Sequence, residues 1–373
     1  MATIKNLLLA LTPPIARSSY LKIKNRNTYK AFSVEYWNTS ELKLPAECEV
    51  LIENFVDSED LLHTSKYWLH LLRLNLEELH ISGLENYGKE IARHYFTWTD
   101  FDDSKIKNLE YEDSNQYEHL EVLKVHPGFS RAESLKHNLL IQILLNFLLS
   151  KNLAHEVKQL EDGGYLFGGH PYLESNYGNV TLDKLSSILE YQNYKSGISN
   201  CVLEVGAGSG RTAEIVLRLN PNVKYVIADI PPASFISYSR IKNSFPDRNL
   251  RIISSKEELI QLLSSGAEWD VLMVLPSVLE HFPDKFFDLM LAIDCLHEMS
   301  DFMRNYFAEI AENKSSNYYF KIWNETRIPL DNVVLSSTRL DQFGVKKNWK
   351  LQVSQEAIFP GDFSEFLFQI GMK

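Results

Sequence analysis

The first half of the chain carries hydrophobic residues at helical spacing. Leu62, Leu69, Leu72, Leu76 and Leu79 are separated by seven, three, four and three residues, so they fall along one face of an α-helix. This pattern predicts an amphipathic helix that buries its leucine face against the rest of the protein.

A longer apolar stretch further along the chain predicts a second, buried helix over residues 134–151. Its apolar part, Asn138 to Leu149, is shorter than the ~20 residues that a membrane span needs. The acidic and polar residues 102–118 before it predict a surface connection. Residues 162–179 after it are rich in glycine and aromatic residues, and they follow neither the helical nor the strand period.

From about Ser196 the pattern changes to short apolar runs that alternate with helical stretches. The predicted strands are 201–205, 224–229, 271–276, 288–294 and 317–323, with more near 335–370, and the predicted helices are 212–219, 231–245 and 297–312. Such alternation is typical of a parallel β-sheet with helices on both faces. We therefore predict a mainly helical N-terminal domain over residues 1–195 and an α/β domain over residues 196–373.

The length and composition fit a globular protein of two domains. The chain has 373 residues, of which 45% are hydrophobic and 23% charged, and its formal net charge is -11. A dominant non-specific contact with DNA or RNA needs a basic surface, so nucleic acid is not an expected partner. The three cysteines are far apart and form no metal-type pair, which favours the reducing cytoplasm as the location.

The N-terminus is not expected to be a signal peptide. Its apolar run Leu7–Leu11 is too short for the hydrophobic region of a signal, and Thr12-Pro13-Pro14 ends that run. With the nearby Lys and Arg side chains, residues 1–25 can support weak, reversible contact with a membrane surface. A helix packed on the domain is the alternative.

The most informative string is Leu203-Glu204-Val205-Gly206-Ala207-Gly208-Ser209-Gly210-Arg211, at a predicted turn from a strand into a helix. Glycines there let the backbone adopt positive φ and pass close to a ligand. The helix N-terminus offers unpaired N–H groups to a ligand carboxylate. Asp229 follows Gly210 by 19 residues and ends the next strand, where an acidic side chain can accept hydrogen bonds from both ribose hydroxyls.

Two other interpretations of this string stay open. One is a glycine-rich turn beside an acid that binds no ligand. The other is a nicotinamide or flavin dinucleotide site, because Gly208, Gly210 and Ala213 satisfy G-x-G-x-x-G/A in a shifted register. That register leaves Gly206 unexplained, and the sixth position counted from Gly206 is Arg211, whose side chain would crowd the start of the helix.

Glu204-x-Gly206-x-Gly208-x-Gly210 resembles the first motif of class I S-adenosylmethionine-dependent methyltransferases, and Asp229 matches their second acidic position. Downstream, VIADIPPA and VLPSVLEHFPDKFFDLMLAIDCLHEM resemble the sugar O-methyltransferase family of polysaccharide gene clusters. The resemblance covers residues 196–325 and extends more weakly to Leu11-Thr12-Pro13-Pro14. It implies a Rossmann-like sheet, S-adenosylmethionine as cofactor, and methyl transfer to a hydroxyl of a sugar or glycan intermediate.

The resemblance also implies which residues bind the cofactor. Gly206 and Gly208 approach the methionine portion, and Asp229 holds the ribose. The pair Pro276-Ser277 flanks adenine, and Asp294 sits by the amino group and the transferred methyl. The expected set is completed by Glu204, Ala207, Gly210 and Ile230.

His297 is the candidate general base. It lies three residues past Asp294 at the end of a predicted strand, where ligands of open α/β sheets bind. The segment from His297 to Asp301 resembles the His-Asp-Trp-Ser-Asp stretch of plant small-molecule O-methyltransferases, whose His is the base. The sugar family often has Gln at this position, so a His that donates one hydrogen bond at a helix start is the alternative. Glu298 can orient His297, replace it as the base, or favour the helix N-terminus.

Residues 163–178 are the candidate acceptor-binding segment. Their glycines can act as the hinges of a lid, and His170, Tyr172 and Tyr177 can contact a sugar. A plain glycine-rich connection is the alternative.

No metal ion is expected, because no adjacent acidic pair accompanies Asp294 and Glu298. Two rival functions stay open. The chain can methylate another small hydroxylated or amine metabolite on the same scaffold, or it can be a non-catalytic binding subunit with the same fold. The intact glycines and Asp229 argue against the subunit, which has no need of a cofactor site.

Overall fold

The computed structural model describes residues 44–95, 131–160, 171–328 and 333–371. The predicted membrane contact of residues 1–25 and the predicted surface connection at 102–118 lie outside these ranges. No helix in the described part of the chain is both long enough and apolar enough to cross a membrane.

Five α-helices precede the first β-strand in the described residues: α1 Ala46–Asp57, α2 Glu59–His63, α3 Lys66–Tyr95, α4 Arg131–Ser150 and α5 Ala154–Gln159. The predicted leucine face is confirmed within α3, where Leu72, Leu76 and Leu79 are buried. Leu62 was expected on the same helix but lies in α2, because the helix is interrupted at residues 64–65. Helix α4 buries its apolar residues as predicted, among them Leu140 and Leu144. Helix α3 also contacts the helix Ser234–Ser244, so the helical part packs on the α/β part.

Part of the glycine-rich segment is a regular hairpin, which the sequence did not indicate. Strands β1 Tyr172–Ser175 and β2 Gly178–Thr181 pair antiparallel, and helix α6 Leu182–Tyr194 follows directly. Strands of four residues contain too few alternations to show a period, so only the cross-strand pairing defines them. The boundary predicted between residues 195 and 196 stays a prediction.

The described residues form one eight-stranded sheet in the order β11-β12-β8-β7-β3-β4-β6-β5. The strands are β3 Cys201–Val205, β4 Lys224–Ala228, β5 Leu250–Ile253, β6 Val271–Val274, β7 Phe287–Ile293, β8 Ser315–Trp323, β11 Lys350–Glu356 and β12 Phe363–Gln369. All neighbours pair parallel except β12, which is antiparallel to both β8 and β11. A separate antiparallel pair joins β9 Glu325–Arg327 to β10 Val334–Ser336.

Four helices connect the parallel strands: α7 Arg211–Leu219, α8 Ser234–Ser244, α9 Lys256–Ser265 and α10 Asp301–Lys314. The predicted α/β fold with a Rossmann-like sheet is therefore confirmed. Strand order reverses between the neighbours β3 and β7. From β3 the chain continues to β4 on one side of the sheet, and from β7 it continues to β8 on the other side. Right-handed crossovers then put helices on opposite faces, and ligands of such sheets bind at this reversal.

Three details differ from the sequence prediction. Strand β5 and helix α9 were not predicted, and the helix expected from residue 297 starts at Asp301 after a single 3₁₀ turn, Leu296–Glu298. Ser300 caps that helix by accepting a hydrogen bond from the Met303 backbone N–H. The cap separates the 3₁₀ turn from the helix, and the turn carries His297 and Glu298 at the end of β7.

Candidate functional site

The loop after β3 follows the backbone path that its glycines allow. Gly206, Gly208 and Gly210 have φ values of 64°, 52° and 73°. A Cβ atom on Gly206 would lie 2.7 Å from the Cβ of Cys295. Only glycine fits there, because the loop after β3 touches the loop after β7.

Asp229 follows β4 and its carboxylate is held by two backbone donors. Oδ2 accepts a hydrogen bond of 3.0 Å from the N–H of Gly208, and Oδ1 accepts one of 2.8 Å from the N–H of Ile230. Burial raises the pKa of Asp229 and the two hydrogen bonds lower it. Burial has the larger effect, so the pKa is about 6. The group is therefore ionised at neutral pH and keeps further lone pairs for ligand hydroxyls.

Glu204, the last-but-one residue of β3, is fully buried below the glycine loop. Its Oε2 accepts a 2.9 Å hydrogen bond from the hydroxyl of Tyr225 on β4. Burial raises the pKa of Glu204 to about 7. This side chain therefore supports the loop from beneath, and it is partly protonated at neutral pH.

A buried ion network lies at the start of α7. The guanidinium of Arg211 binds both carboxylate oxygens of Glu190 at 2.6 and 3.0 Å, and it lies 3.4 Å from Oδ2 of Asp294. The ammonium of Lys321 binds Glu190 at 2.7 Å. Glu190 and Lys321 carry no local sequence signal, because Glu190 precedes the glycine motif in α6 and Lys321 lies in a strand more than a hundred residues further on.

Asp294 ends β7 in a left-handed backbone conformation, with φ of 58°. Its backbone N–H donates to the carbonyl of Lys321 at 3.0 Å. Burial raises the pKa of Asp294 above its usual range. Its Oδ1 has no hydrogen-bond partner within the described residues. A buried carboxylate oxygen in this state is expected to receive a donor from a ligand.

His297 lines the cavity, but aromatic rings enclose most of its side chain. Its ring makes edge contacts with Trp323 and Phe363, at centroid distances of 6.2 and 6.3 Å. Its Nδ1 is buried and has no hydrogen-bond partner among the described residues. Burial lowers the pKa of His297 to about 3, so the imidazole is neutral at physiological pH.

Glu298 is the more accessible of the two neighbours. Its side chain is 26% exposed against 6% for His297, and Oε1 lies 3.8 Å from Nε2 of His297. Burial and the nearby Asp294 carboxylate raise the pKa of Glu298 to about 8, whereas a side-chain hydrogen bond from Trp68 lowers it. The carboxyl group therefore titrates close to physiological pH.

The helical part of the chain supplies one wall of the site. Asp60 of α2 accepts hydrogen bonds from the N–H and the hydroxyl of Ser277, at 2.9 and 2.6 Å. The hydroxyl of Ser300 donates to the carbonyl of His63 at 2.8 Å. These contacts attach α2 to the loops that follow β6 and β7.

These groups surround a cavity of about 250 Å³, which lies where the strand order reverses between β3 and β7. The structure brings ten of the predicted site residues to its lining: Glu204, Gly206, Ala207, Gly208, Asp229, Ile230, Pro276, Asp294, His297 and Glu298. The cavity is also lined by Phe363 and by five residues that were not predicted from sequence: Asp60, Thr64, Ser65, Trp68 and Trp323. Ser277 stands behind this lining as the partner of Asp60, and Gly210 forms the start of α7, where a Cβ would lie 2.9 Å from that of Ser237.

The predicted acceptor segment does not join this lining as far as the structure describes it. Tyr172 lies on β1 and Tyr177 in the turn before β2, and neither borders the cavity. His170 lies outside the described residues. No group of three or more His, Cys, Asp or Glu side chains suited to a metal ion occurs in the described ranges.

No model of a known protein family matches the chain, and no curated protein matches it. Similar solved structures include the N-methyltransferase NodS from Bradyrhizobium japonicum WM9, with 14% identity, 50% of this chain and 94% of that chain covered, and a TM-score of 0.34. The glycopeptide N-methyltransferase MtfA, solved with sinefungin, is 13% identical, with 50% of this chain and 87% of that chain covered and a TM-score of 0.35. The mitomycin 7-O-methyltransferase MmcR is 12% identical, with 51% of this chain and 53% of that chain covered and a TM-score of 0.33. TM-scores this low carry no argument about function.

Proposed function

We propose that this protein is an S-adenosylmethionine-dependent O-methyltransferase that acts on a hydroxyl of a sugar or glycan intermediate. The observation that carries the proposal is the single cavity that joins the glycine loop, Asp229, Asp294 and Glu298 at the reversal of the sheet. The chain runs from a strand through the glycine loop into a helix, and the next strand ends in an acidic residue. This order is typical of sites that bind a nucleoside cofactor.

The donor and acceptor groups in the cavity fit S-adenosylmethionine. Asp229 is ionised and fixed by two N–H groups, so it can accept both ribose hydroxyls. The unpartnered Oδ1 of Asp294 suits the cofactor's amino group. Ile230 and Pro276 give the cavity apolar surface for the adenine ring. When bound, the cofactor supplies an electrophilic methyl group already activated on sulfonium.

The protein's remaining tasks are to orient the acceptor oxygen and to take its proton. Orientation alone contributes up to ~7–11 kcal/mol in well-aligned reactions. We assign the proton to Glu298, because its carboxyl group faces the cavity and has a pKa of about 8, near the operating pH. His297 stays a candidate, but its low pKa gives it little affinity for the proton.

A sugar acceptor is supported by the lining beside Glu298. Trp68, Trp323 and Phe363 border the cavity there, and aromatic rings pack well against the apolar face of a sugar ring. The carboxyl group offers hydrogen bonds to sugar hydroxyls. The sequence resemblance to sugar O-methyltransferases points to the same class.

Calorimetry and an acceptor screen together test the proposal. The purified protein should bind S-adenosylmethionine and S-adenosylhomocysteine and give no heat with NAD. Methyl glycosides and amino sugars incubated with the cofactor should then be searched by mass spectrometry for gain of one methyl group. Binding of NAD without a response to S-adenosylmethionine would overturn the proposal, and methylation of amino groups alone would move the chain to the amine alternative.

A further inference from the structure

Trp68 belongs to the helical part of the chain but lines the cavity of the α/β part. It lies in the first turn of α3, and its backbone N–H donates to the hydroxyl of Ser65 at 3.2 Å. This capping bond fixes the start of the helix. The position of the Trp68 ring is therefore set by where α3 begins.

The start of α3 is in turn attached to the loops that carry the site. Asp60 binds Ser277 after β6, and the carbonyl of His63 accepts the hydroxyl of Ser300 after β7. The ring of His63 also stacks on that of Phe302, with 3.5 Å between centroids and 13° between planes. These contacts thus hold residues 60–63 against the loops after β6 and β7, and the loop after β7 carries Glu298.

The side chains of Trp68 and Glu298 line the same cavity, and a side-chain hydrogen bond from Trp68 lowers the pKa of the Glu298 carboxyl group. A Glu side chain has three rotatable bonds, and a partly buried carboxylate with one fixed donor loses most of that freedom. Active-site groups need such support from a neighbouring rigid element to stay in a productive geometry. Trp68 supplies it from an element whose own position is fixed.

We propose that Trp68 is a positioning residue, whose indole N–H orients the Glu298 carboxylate toward the acceptor hydroxyl. The inference rests on the proposed function, and it makes the helical part a necessary component of the active site. A lone α/β part would hold the cofactor residues but would leave Glu298 unsupported.

Four titratable groups face Glu298, and they must be separated from it in any titration. Asp294 and His297 lie on the same loop, Cys295 is next to them, and Tyr67 approaches from α3. Burial lowers the pKa of His297 to about 3 and raises those of Cys295 and Tyr67. Burial also raises the pKa of Asp294, so Asp294 is the group to control for.

Nuclear magnetic resonance of the ¹⁵N-labelled full-length protein, without cofactor or acceptor, tests the hydrogen bond directly. The Trp68 indole resonance is identified as the one missing in Trp68→Phe. It should shift with pH in the wild-type protein, with a midpoint near 8, and should not shift in Glu298→Gln. In Asp294→Asn the shift should persist with a lower midpoint, because a nearby negative charge is removed. A Trp68 resonance that is insensitive to pH in the wild-type protein would overturn the inference.

Turnover gives the second measurement, with tritium-labelled S-adenosylmethionine and methyl glycosides as acceptor probes. Trp68→Phe keeps a ring but removes the donor, so kcat should fall about 10-fold, the effect of losing one hydrogen bond to a charged group. The rise of kcat with pH should move up by about one pH unit, because the bond favours the ionised carboxylate. An unchanged kcat and pH profile would overturn the inference even if the cofactor binds.

Trp349→Phe is the matched control. Trp349 is also buried, it packs on Tyr318 and Phe368, and its indole N–H has no partner within the described residues. This variant should leave kcat and the pH profile unchanged. If no methyl glycoside is methylated, the acceptor class of the proposed function fails, whereas the indole titration still decides the role of Trp68.

Discussion

Asp60 accepts hydrogen bonds from both polar groups of Ser277, a residue 217 positions further along the chain. The carboxylate is buried, and burial raises its pKa to about 6, so it is ionised at neutral pH. It stabilises the loop after β6 from outside the sheet. The region expected to flank adenine is therefore shaped by a residue of the helical part.

Asp60→Ala should weaken both folding and cofactor binding. The buried N–H and hydroxyl of Ser277 lose their acceptor, which costs about 1.5–3 kcal/mol in the free energy of unfolding. Ser277→Ala is the matched control, because it removes the hydroxyl and keeps the backbone bond, so its effect should be smaller. Urea unfolding and calorimetry with S-adenosylmethionine measure the two effects. Equal effects of the two variants would mean that the backbone bond contributes nothing.

Asp229→Ala should weaken S-adenosylmethionine binding by about 1.5–3 kcal/mol, the usual size of hydrogen bonds to a charged group. The variant also leaves the N–H of Gly208 without its acceptor. Asp284→Ala serves as the control, because Asp284 is an exposed side chain paired with Lys314. Calorimetry of both variants gives the comparison. An unchanged affinity in Asp229→Ala would mean that the ribose is held elsewhere.

Gly206→Ala should cost more stability than Gly266→Ala, although both residues have nearly the same backbone angle, 64° and 66°. The strain of placing alanine in this conformation is about 1–2 kcal/mol in each case. At Gly266 a Cβ meets nothing within 4 Å, whereas at Gly206 it meets the Cβ of Cys295 at 2.7 Å. Overpacking adds about 1–3 kcal/mol. Equal denaturation midpoints for the two variants would show that the loop after β7 yields to the methyl group.

The parts of the site that the sequence predicted are those encoded within one strand–turn–helix unit. The glycine loop and Asp229 lie within 30 residues of each other, and each has a local pattern. Asp60 and Trp68 have none, because their importance comes from contacts with Ser277 and Glu298 more than 200 residues away. A lid was predicted in residues 163–178 from their glycine and aromatic content. The sequence shows this content, but it does not show which residues make tertiary contacts with the site.

The protein should lose stability as the pH rises from about 4.5 to 7, partly because of Glu204. Its pKa is about 7 when folded and has its ordinary, lower value when unfolded. The folded state thus binds the proton more tightly, and stability falls as pH rises through this window. Glu204→Gln cannot ionise, so its free energy of unfolding should depend less on pH. Urea unfolding at pH 5 and pH 8 measures this, with the exposed Glu257→Gln as control. An unchanged slope would mean that Glu204 is already ionised in the folded protein.

Glu298, and not His297, is expected to take the proton from the acceptor hydroxyl. Glu298→Gln keeps the shape and the hydrogen bonding of the side chain but cannot bind a proton at neutral pH, so turnover should fall roughly 10²–10⁴-fold. Cofactor affinity should change little, because this residue faces the acceptor. In the wild-type protein, turnover should rise with pH through about 8, since the ionised carboxylate is the active form. His297→Gln should lower turnover by less than about 10-fold, because its ring is buried against Trp323 and Phe363. The reverse order, with a severe loss in His297→Gln and near-normal turnover in Glu298→Gln, would return the base role to His297 and leave Glu298 as its orienting partner.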